Sequence, residues 1–306
     1  MRLLQRKDGG RYSLTEFVGD AIPRYAILSH TWGPDQEEVT LVDLEQDAGT
    51  TKSGYQKLQF CAEQAAKDGL RYFWVDTCCI DKSSSAELTE AINSMFAWYR
   101  DAARCYVYLS DVSTSSLTSG LTSSTPAQQH WNREFQQSRW FTRGWTLQEL
   151  VAPVNFTVLL GSALRLSREA ALWINSASTS ALQGSRPLDQ LSVDERMSWV
   201  GQRKTKREED AAYSLLGIFD VHMPLIYGEG RRKAFARLQR EIDAASSDAH
   251  FTLPQNDVSQ SHGHATHAYN GPVFYGPISG RYVVPATHVT GGTVNFDFRE
   301  GRDVSQ

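Results

Sequence analysis

Four short runs along the chain are rich in β-branched and aromatic residues and uncharged in their interiors: 25–29 (YAILS), 71–76 (RYFWVD), 105–109 (CYVYL) and 155–160 (NFTVLL). Each has the length and composition of a buried strand. In the intervals the apolar positions take helical spacing, with Tyr55, Leu58, Ala62 and Ala65 in the first and Leu88, Ile92, Met95, Phe96 and Tyr99 in the second. Ser84 followed by Glu87 predicts a capping box at the start of that second helix, in which hydroxyl and carboxylate satisfy two free amides reciprocally. Strands apolar on both faces and separated by helices predict parallel pairing, because parallel neighbours need crossovers and the crossover helices shield the sheet. The expected fold class is α/β: an open, mainly parallel sheet flanked by helices over residues 20–160, with right-handed crossovers.

Past residue 161 the pattern turns helical. Ser192 with Glu195 and Thr205 with Glu208 are two further capping-box spacings, and 211–219 and 232–242 carry helix-period apolar residues. The Ser/Thr run 113–125 predicts a surface loop, since it cannot bury enough apolar surface to order itself. From residue 246 Ser, Asn, His, Gly and Pro become dense, and alternating segments follow at 282–284 and 293–298. The expected organisation is therefore an α/β domain over 1–160, a helical extension over 161–245, and a low-complexity, mostly disordered tail over 246–306. Within the tail, 271–298 has the alternation and low charge of a β-assembling segment, although Pro272, Pro277 and Pro285 limit a continuous cross-β run.

Composition narrows the function classes. The 306 residues carry 31 Lys and Arg against 35 Asp and Glu, a net charge of −4, which gives no electrostatic footprint for nucleic acid. Four cysteines, two of them adjacent, draw neither a disulfide framework nor a zinc pair and fit a reducing compartment. No stretch approaches a membrane span or a signal-peptide core, so a cytoplasmic protein without a transmembrane segment is expected. The segment 228–233 (GEGRRK) lacks the ending of a phosphate loop and reads as a helix start, which argues against an NTPase. The basic run 203–207 (RKTKR) reads as a solvated turn, and His262, His264 and His267 as part of a polar linker rather than a metal site.

In an open α/β sheet ligands collect beyond the carboxyl ends of the strands. There the chain places Ser29, His30, Thr31 and Trp32 after the first run, Asp76, Cys78 and Cys79 after the second, and Asp111 after the third. A polar rim with an indole face suits a nucleotide or nucleoside; equally, Asp76 and Asp111 suit turn caps and Trp32 a plug for the sheet end, while the adjacent cysteines suit buried packing. In the segment 139–153 (RWFTRGWTLQELVAP), Glu149 lies among Trp and Leu at the start of a helix. Such a carboxyl is either partly desolvated, with a raised pKa, or exposed and favoured by the helix dipole.

Three blocks, 25–33 (YAILSHTWG), 74–82 (WVDTCCIDK) and 143–153 (RGWTLQELVAP), resemble in order and spacing the hallmark segments of the fungal HET domain, named for heterokaryon incompatibility. The segments 208–219 and 223–235 are similar to the extension that commonly follows it, so the resemblance covers residues 1–245. It is similar to the N-terminal part of large incompatibility proteins that continue into NACHT and WD-repeat modules. The resemblance implies a cell-death effector acting when genetically different hyphae fuse. It also implies a distant relation to TIR domains, which have a flavodoxin-like sheet and of which many cleave NAD+ with one glutamate in a helix motif similar to 145–150 (WTLQEL). On that relation Glu149 is the catalytic candidate, stabilising a ribosyl cation as nicotinamide leaves. Ser29, His30, Thr31, Trp32, Asp76 and Asp111 are the substrate-binding candidates. NAD+ is then a substrate, with no cofactor and no metal. The implied partners are an NLR-type receptor or other incompatibility protein and, on activation, further copies of the chain, assembled through an amyloid-like tail. The alternative is a non-enzymatic module that triggers death by self-assembly.

Overall fold

Seven strands form one sheet: β1 (Arg2–Arg6), β2 (Tyr12–Glu16), β3 (Tyr25–His30), β4 (Tyr72–Trp74), β5 (Arg104–Tyr108), β6 (Phe156–Leu160) and β7 (Leu164–Ser167), in the order β2-β1-β4-β3-β5-β6-β7. The computed structural model describes residues 1–112, 130, 133–160, 164–167 and 187–248, all within one unit, Met1–Thr252. The four central strands β4, β3, β5 and β6 are mutually parallel, and β1, β2 and β7 extend the sheet antiparallel. All six residues of β3 are buried, as its position between two parallel neighbours requires. Counted from β3, the parallel set runs 2-1-3-4, the flavodoxin-type order.

The crossovers are the helices that the spacing predicts. After α1 (Leu41–Glu45), α2 (Tyr55–Lys67) joins β3 to β4 and buries Leu58, Cys61, Ala62 and Ala65. The short α3 (Asp76–Cys79) is followed by α4 (Ser85–Asp101), which joins β4 to β5 and buries Ala91, Ile92, Met95 and Tyr99. Since β4 and β5 lie on opposite sides of β3, right-handed crossovers put α2 and α4 on opposite faces of the sheet. Then come α5 (Thr146–Val151), α6 (Val193–Ser198), α7 (Asp210–Tyr213), α8 (Leu216–Phe219) and α9 (Arg231–Asp248). Among the described residues no helix is long and apolar enough to cross a membrane.

Several local expectations are corrected. The β1–β2 hairpin and β7 are additional strands, and the strand expected over 71–76 stops at Trp74, so that Asp76 opens α3. The Ser84 cap forms only half of its box: Ser84 Oγ accepts from the Glu87 amide at 3.3 Å, while the Glu87 carboxylate is taken by Arg2 of β1 and the Asp81 amide. Ser192 likewise accepts from the Glu195 amide at 3.1 Å. Thr205 caps nothing; its hydroxyl donates to the Arg207 carbonyl, and the helix begins at Asp210. The single helix expected over 211–219 is two, α7 and α8. The loop at 113–125, the tail segment 271–298 and His262, His264 and His267 lie outside the described residues.

The break after α7 lets α8 lie flat on α4. Gly217 faces Phe96 so closely that an added Cβ would sit 2.0 Å from Phe96 Cβ. In a free helix alanine is favoured over glycine by ~1 kcal/mol, but here the clash reverses the sign. Gly217→Ala should destabilise by about 1–3 kcal/mol in denaturant unfolding, and Phe96→Ala in the same chain should restore part of the loss. Stabilisation by Gly217→Ala would contradict the α4–α8 contact.

Candidate functional site

Because β3, β4 and β5 are parallel, their carboxyl ends share one edge, and the chain leaves β3 toward β4 on one side and returns to β5 on the other. Such a reversal opens a crevice at the edge. Ser29 is fully buried near the end of β3, where an unpaired hydroxyl would be costly. Its Oγ donates to Glu149 Oε2 at 2.5 Å and accepts the Trp140 indole N–H at 2.8 Å. Trp140 is held by the 3-10 turn Arg139–Thr142, whose N-cap is Ser138. Asp111 braces that cap, accepting from the Ser138 hydroxyl and the Arg139 amide, both at 2.8 Å.

One residue on, His30 Nε2 lies 2.8 Å from Asp76 Oδ1, and the Trp32 indole N–H donates to Asp76 Oδ2 at 2.8 Å. Burial alone would raise the Asp76 carboxyl, but the His30 charge and hydrogen bond, the Lys82 charge and the Trp32 hydrogen bond outweigh it and hold the group well below the usual carboxylate range. The turn carrying Thr31 and Trp32 is fixed from below. Lys57 Nζ donates to the Thr31 carbonyl at 3.0 Å and pairs with Glu38, which in turn accepts the Gly33 amide at 2.5 Å.

His30, Thr31, Trp32, Asp76 and Glu149 thus line one cavity of about 260 Å³. Ser29 stands behind it, bonded to Glu149, and Asp111 does not line it. Glu149 is 6% exposed, so the desolvated alternative holds and the exposed one falls. Burial is the main reason its pKa rises from the ordinary 4.5 to about 8; the Asp76 charge adds to the rise, and the Ser29 hydrogen bond and the charges of Arg203 and Arg143 oppose it. Glu149 and Asp76 are therefore two carboxyl groups pushed apart by their surroundings, the pattern of a proton-holding acid beside a permanent anion. Cys78 and Cys79 are buried, and burial pushes the Cys78 thiol well up.

The opposite wall comes from residues that the sequence marked only by their place inside the resembling segments. Arg143 and Trp145 precede α5, Asp210 opens α7, and Tyr227 follows α8. Trp145 and Tyr227 hydrogen-bond Asp210, whose carboxyl is nonetheless raised by burial. The basic run 203–207 is more than a solvated turn. Arg203 donates to the Arg143 carbonyl at 2.8 Å and to Thr146 Oγ1 at 2.9 Å, and burial lowers its pKa to about 10. The Lys204 backbone bonds Thr142 and Gly144, so Lys206 and Arg207 are set at the mouth of the cavity. Among the described residues no group of three or more His, Cys, Asp or Glu side chains is placed to hold a metal ion.

Comparison with known proteins is consistent with these segments. Residues 25–129 match the family model described as heterokaryon incompatibility protein (HET). The vegetative incompatibility protein HET-E-1 of Podospora anserina is 51% identical over 266 residues, 84% of this chain and 19% of that protein. The chain thus spans about a fifth of the length of that curated relative. No solved structure matches it.

The raised Glu149 pKa has a signed consequence for stability. Below pH 4.5 the folded and unfolded chains both hold the proton and the contribution of the buried neutral acid is whole; between 4.5 and about 8 only the unfolded chain releases it, so stability falls as pH rises. Glu149→Gln keeps the shape and lacks the titration. The variant should therefore unfold at higher temperature than the parent, with a gap that widens from pH 5 to pH 8 to on the order of a few kcal/mol. A gap independent of pH in thermal melts would contradict burial of an ionisable Glu149.

Proposed function

The chain belongs to the heterokaryon incompatibility (HET) family, and on that premise we propose that it is an incompatibility effector that kills the cell by cleaving NAD+ between nicotinamide and ribose once it has oligomerised. The observation that carries this reading is Glu149: a buried carboxyl, hydrogen-bonded to Ser29, on a cavity at the reversal point of a flavodoxin-ordered sheet. The likeness of residues 145–150 to the catalytic helix of TIR domains supports the same assignment.

The chemistry follows from the two carboxyl groups. The nicotinamide ring of NAD+ carries a positive charge, and its approach favours the ionised form of Glu149. The bond between ribose C1′ and the ring nitrogen breaks with its electron pair leaving on nicotinamide, and the ribosyl cation faces the Glu149 carboxylate, held in place by the Ser29 hydroxyl. Water adds at C1′ and releases a proton. His30, Thr31 and Trp32 line the nicotinamide and ribose end, with the Lys82 ammonium lying over the Trp32 ring and Asp76 orienting both Trp32 and His30. Asp111 acts one layer back, through the turn that carries Trp140.

In this reading residues 1–160 supply the strand edge and Glu149, and the extension 161–245 supplies the opposite wall. The tail 246–306 serves assembly, and an NLR-type receptor or another incompatibility protein triggers it in the cytoplasm.

Purified protein, free and artificially clustered, should release nicotinamide from NAD+. Glu149→Gln should lower that rate at least 10²-fold, the order seen when one electrostatic stabiliser is removed. The wild-type kcat/KM should climb with pH through about 8, since the free enzyme must lose the Glu149 proton. Toxicity that persists in Glu149→Gln, with no NAD+ loss in either form, would instead identify a non-enzymatic self-assembly module.

A further inference from the structure

The cavity of about 260 Å³ opens to solvent beside the exposed Lys206 and Arg207, so a nucleotide held inside by its nucleoside end would carry its phosphates to that rim. Two guanidinium groups wait on that rim. Arg143 is half-buried, and its guanidinium makes no hydrogen bond or ion pair among the described residues. Arg207 has its guanidinium carbon 4.0 Å from the centre of the Tyr227 ring and has no anionic partner in hydrogen-bond contact among the described residues. The neighbouring cations differ: Lys206 pairs with Asp35, and Arg203 is engaged by the Arg143 carbonyl and Thr146.

We infer that Arg143 and Arg207 form a phosphate subsite at the mouth of the cavity, which makes its ligand a phosphorylated nucleoside rather than a free nucleoside. Guanidinium groups match phosphate oxygens with paired N–H donors. The stacking of Arg207 on Tyr227 fixes the plane of one fork before the ligand arrives. The local anions have other partners: Glu149 holds its proton at neutral pH and is hydrogen-bonded to Ser29, Asp210 is hydrogen-bonded to Tyr227 and Trp145, and the Glu209 carboxylate near Arg207 accepts the amides of Gly228 and Gly230. The identity of the nucleoside end rests on the proposed NAD+ chemistry; the phosphate subsite does not.

The test is calorimetric titration of the full chain with ADP-ribose, nicotinamide mononucleotide, nicotinamide riboside and inorganic phosphate, using wild type, Arg143→Gln, Arg207→Gln and the exposed, remote Arg11→Gln. Both rim variants remove head groups that make no hydrogen bond among the described residues, and Arg143→Lys and Arg207→Lys keep the charge should either fail to fold. ADP-ribose and the mononucleotide should lose about tenfold to a hundredfold in affinity per arginine, while the riboside and the Arg11→Gln protein are unaffected. Lysine should recover only part of the loss. Equal weakening of riboside and mononucleotide, or no weakening of either, or tight binding of inorganic phosphate alone with no preference for the mononucleotide over the riboside, overturns the inference. Arginine-dependent binding of ADP-ribose without nicotinamide release from NAD+ leaves the subsite standing and removes the hydrolase reading. Release of nicotinamide with KM unchanged in both rim variants does the reverse.

Discussion

A carboxyl at the end of the most buried strand of a parallel sheet has few stable arrangements. It can be neutral, or it can be ionised and fully paired. The hydrogen-bond chain from the Trp140 indole to the Ser29 hydroxyl to Glu149 is the first of these solutions, and much of the edge is arranged around it. Ser29 can stand in a fully buried strand only because both of its hydrogen-bonding capacities are used. Trp140 can present its N–H there only because the turn behind it is braced by Asp111. On the same cavity Asp76 takes the other solution, ionised and satisfied by His30 and Trp32. One sheet edge thus holds the same functional group in two protonation states.

The central sheet was legible because its signal is strong. Uncharged runs at 25–29, 105–109 and 155–160 sit in strands flanked on both sides, where the need to be apolar on two faces leaves little freedom. The hairpin β1–β2 was not: β2 is an edge strand, and in β1, which lies between β2 and β4, Leu3 and Leu4 are both fully buried, which breaks the alternation that marks a half-exposed strand. Site residues were legible where they follow strands. Glu149 was open between two alternatives on pattern alone, because a helix N-terminus reads the same whether it faces water or a cavity. Arg143, Asp210 and Tyr227 were illegible as site residues, since only tertiary packing brings 210 and 227 to face 143.

The same reasoning explains the capping boxes. The expected spacing was present three times, and Glu87, the carboxylate of the first, left its own helix for a partner elsewhere, whereas Thr40 and Asp43, outside those three, close a full box at the start of α1. Glu87 went to Arg2, because a partner from a distant strand offers an ion pair where a local amide offers one neutral donor. Glu209 shows the logic from the other side. Its carboxylate accepts the amides of Gly228 and Gly230 at 2.8 and 2.9 Å, so the loop that superficially suggests phosphate binding has its donors filled from within the fold. Glu229 is similarly taken up by Arg237 and Tyr213.

The stitch between Gly144 and Lys204 joins segments far apart in the chain, and Tyr227 is farther still. A ribosome releases the residues of the β3 edge and Glu149 first, and 78 residues separate Glu149 from Tyr227. At ~5–20 residues per second that interval lasts about 4–16 s. For those seconds the nascent chain owns the carboxyl but only half of the walls around it. Order of synthesis thereby postpones completion of the cavity until nearly all of the described fold has left the ribosome.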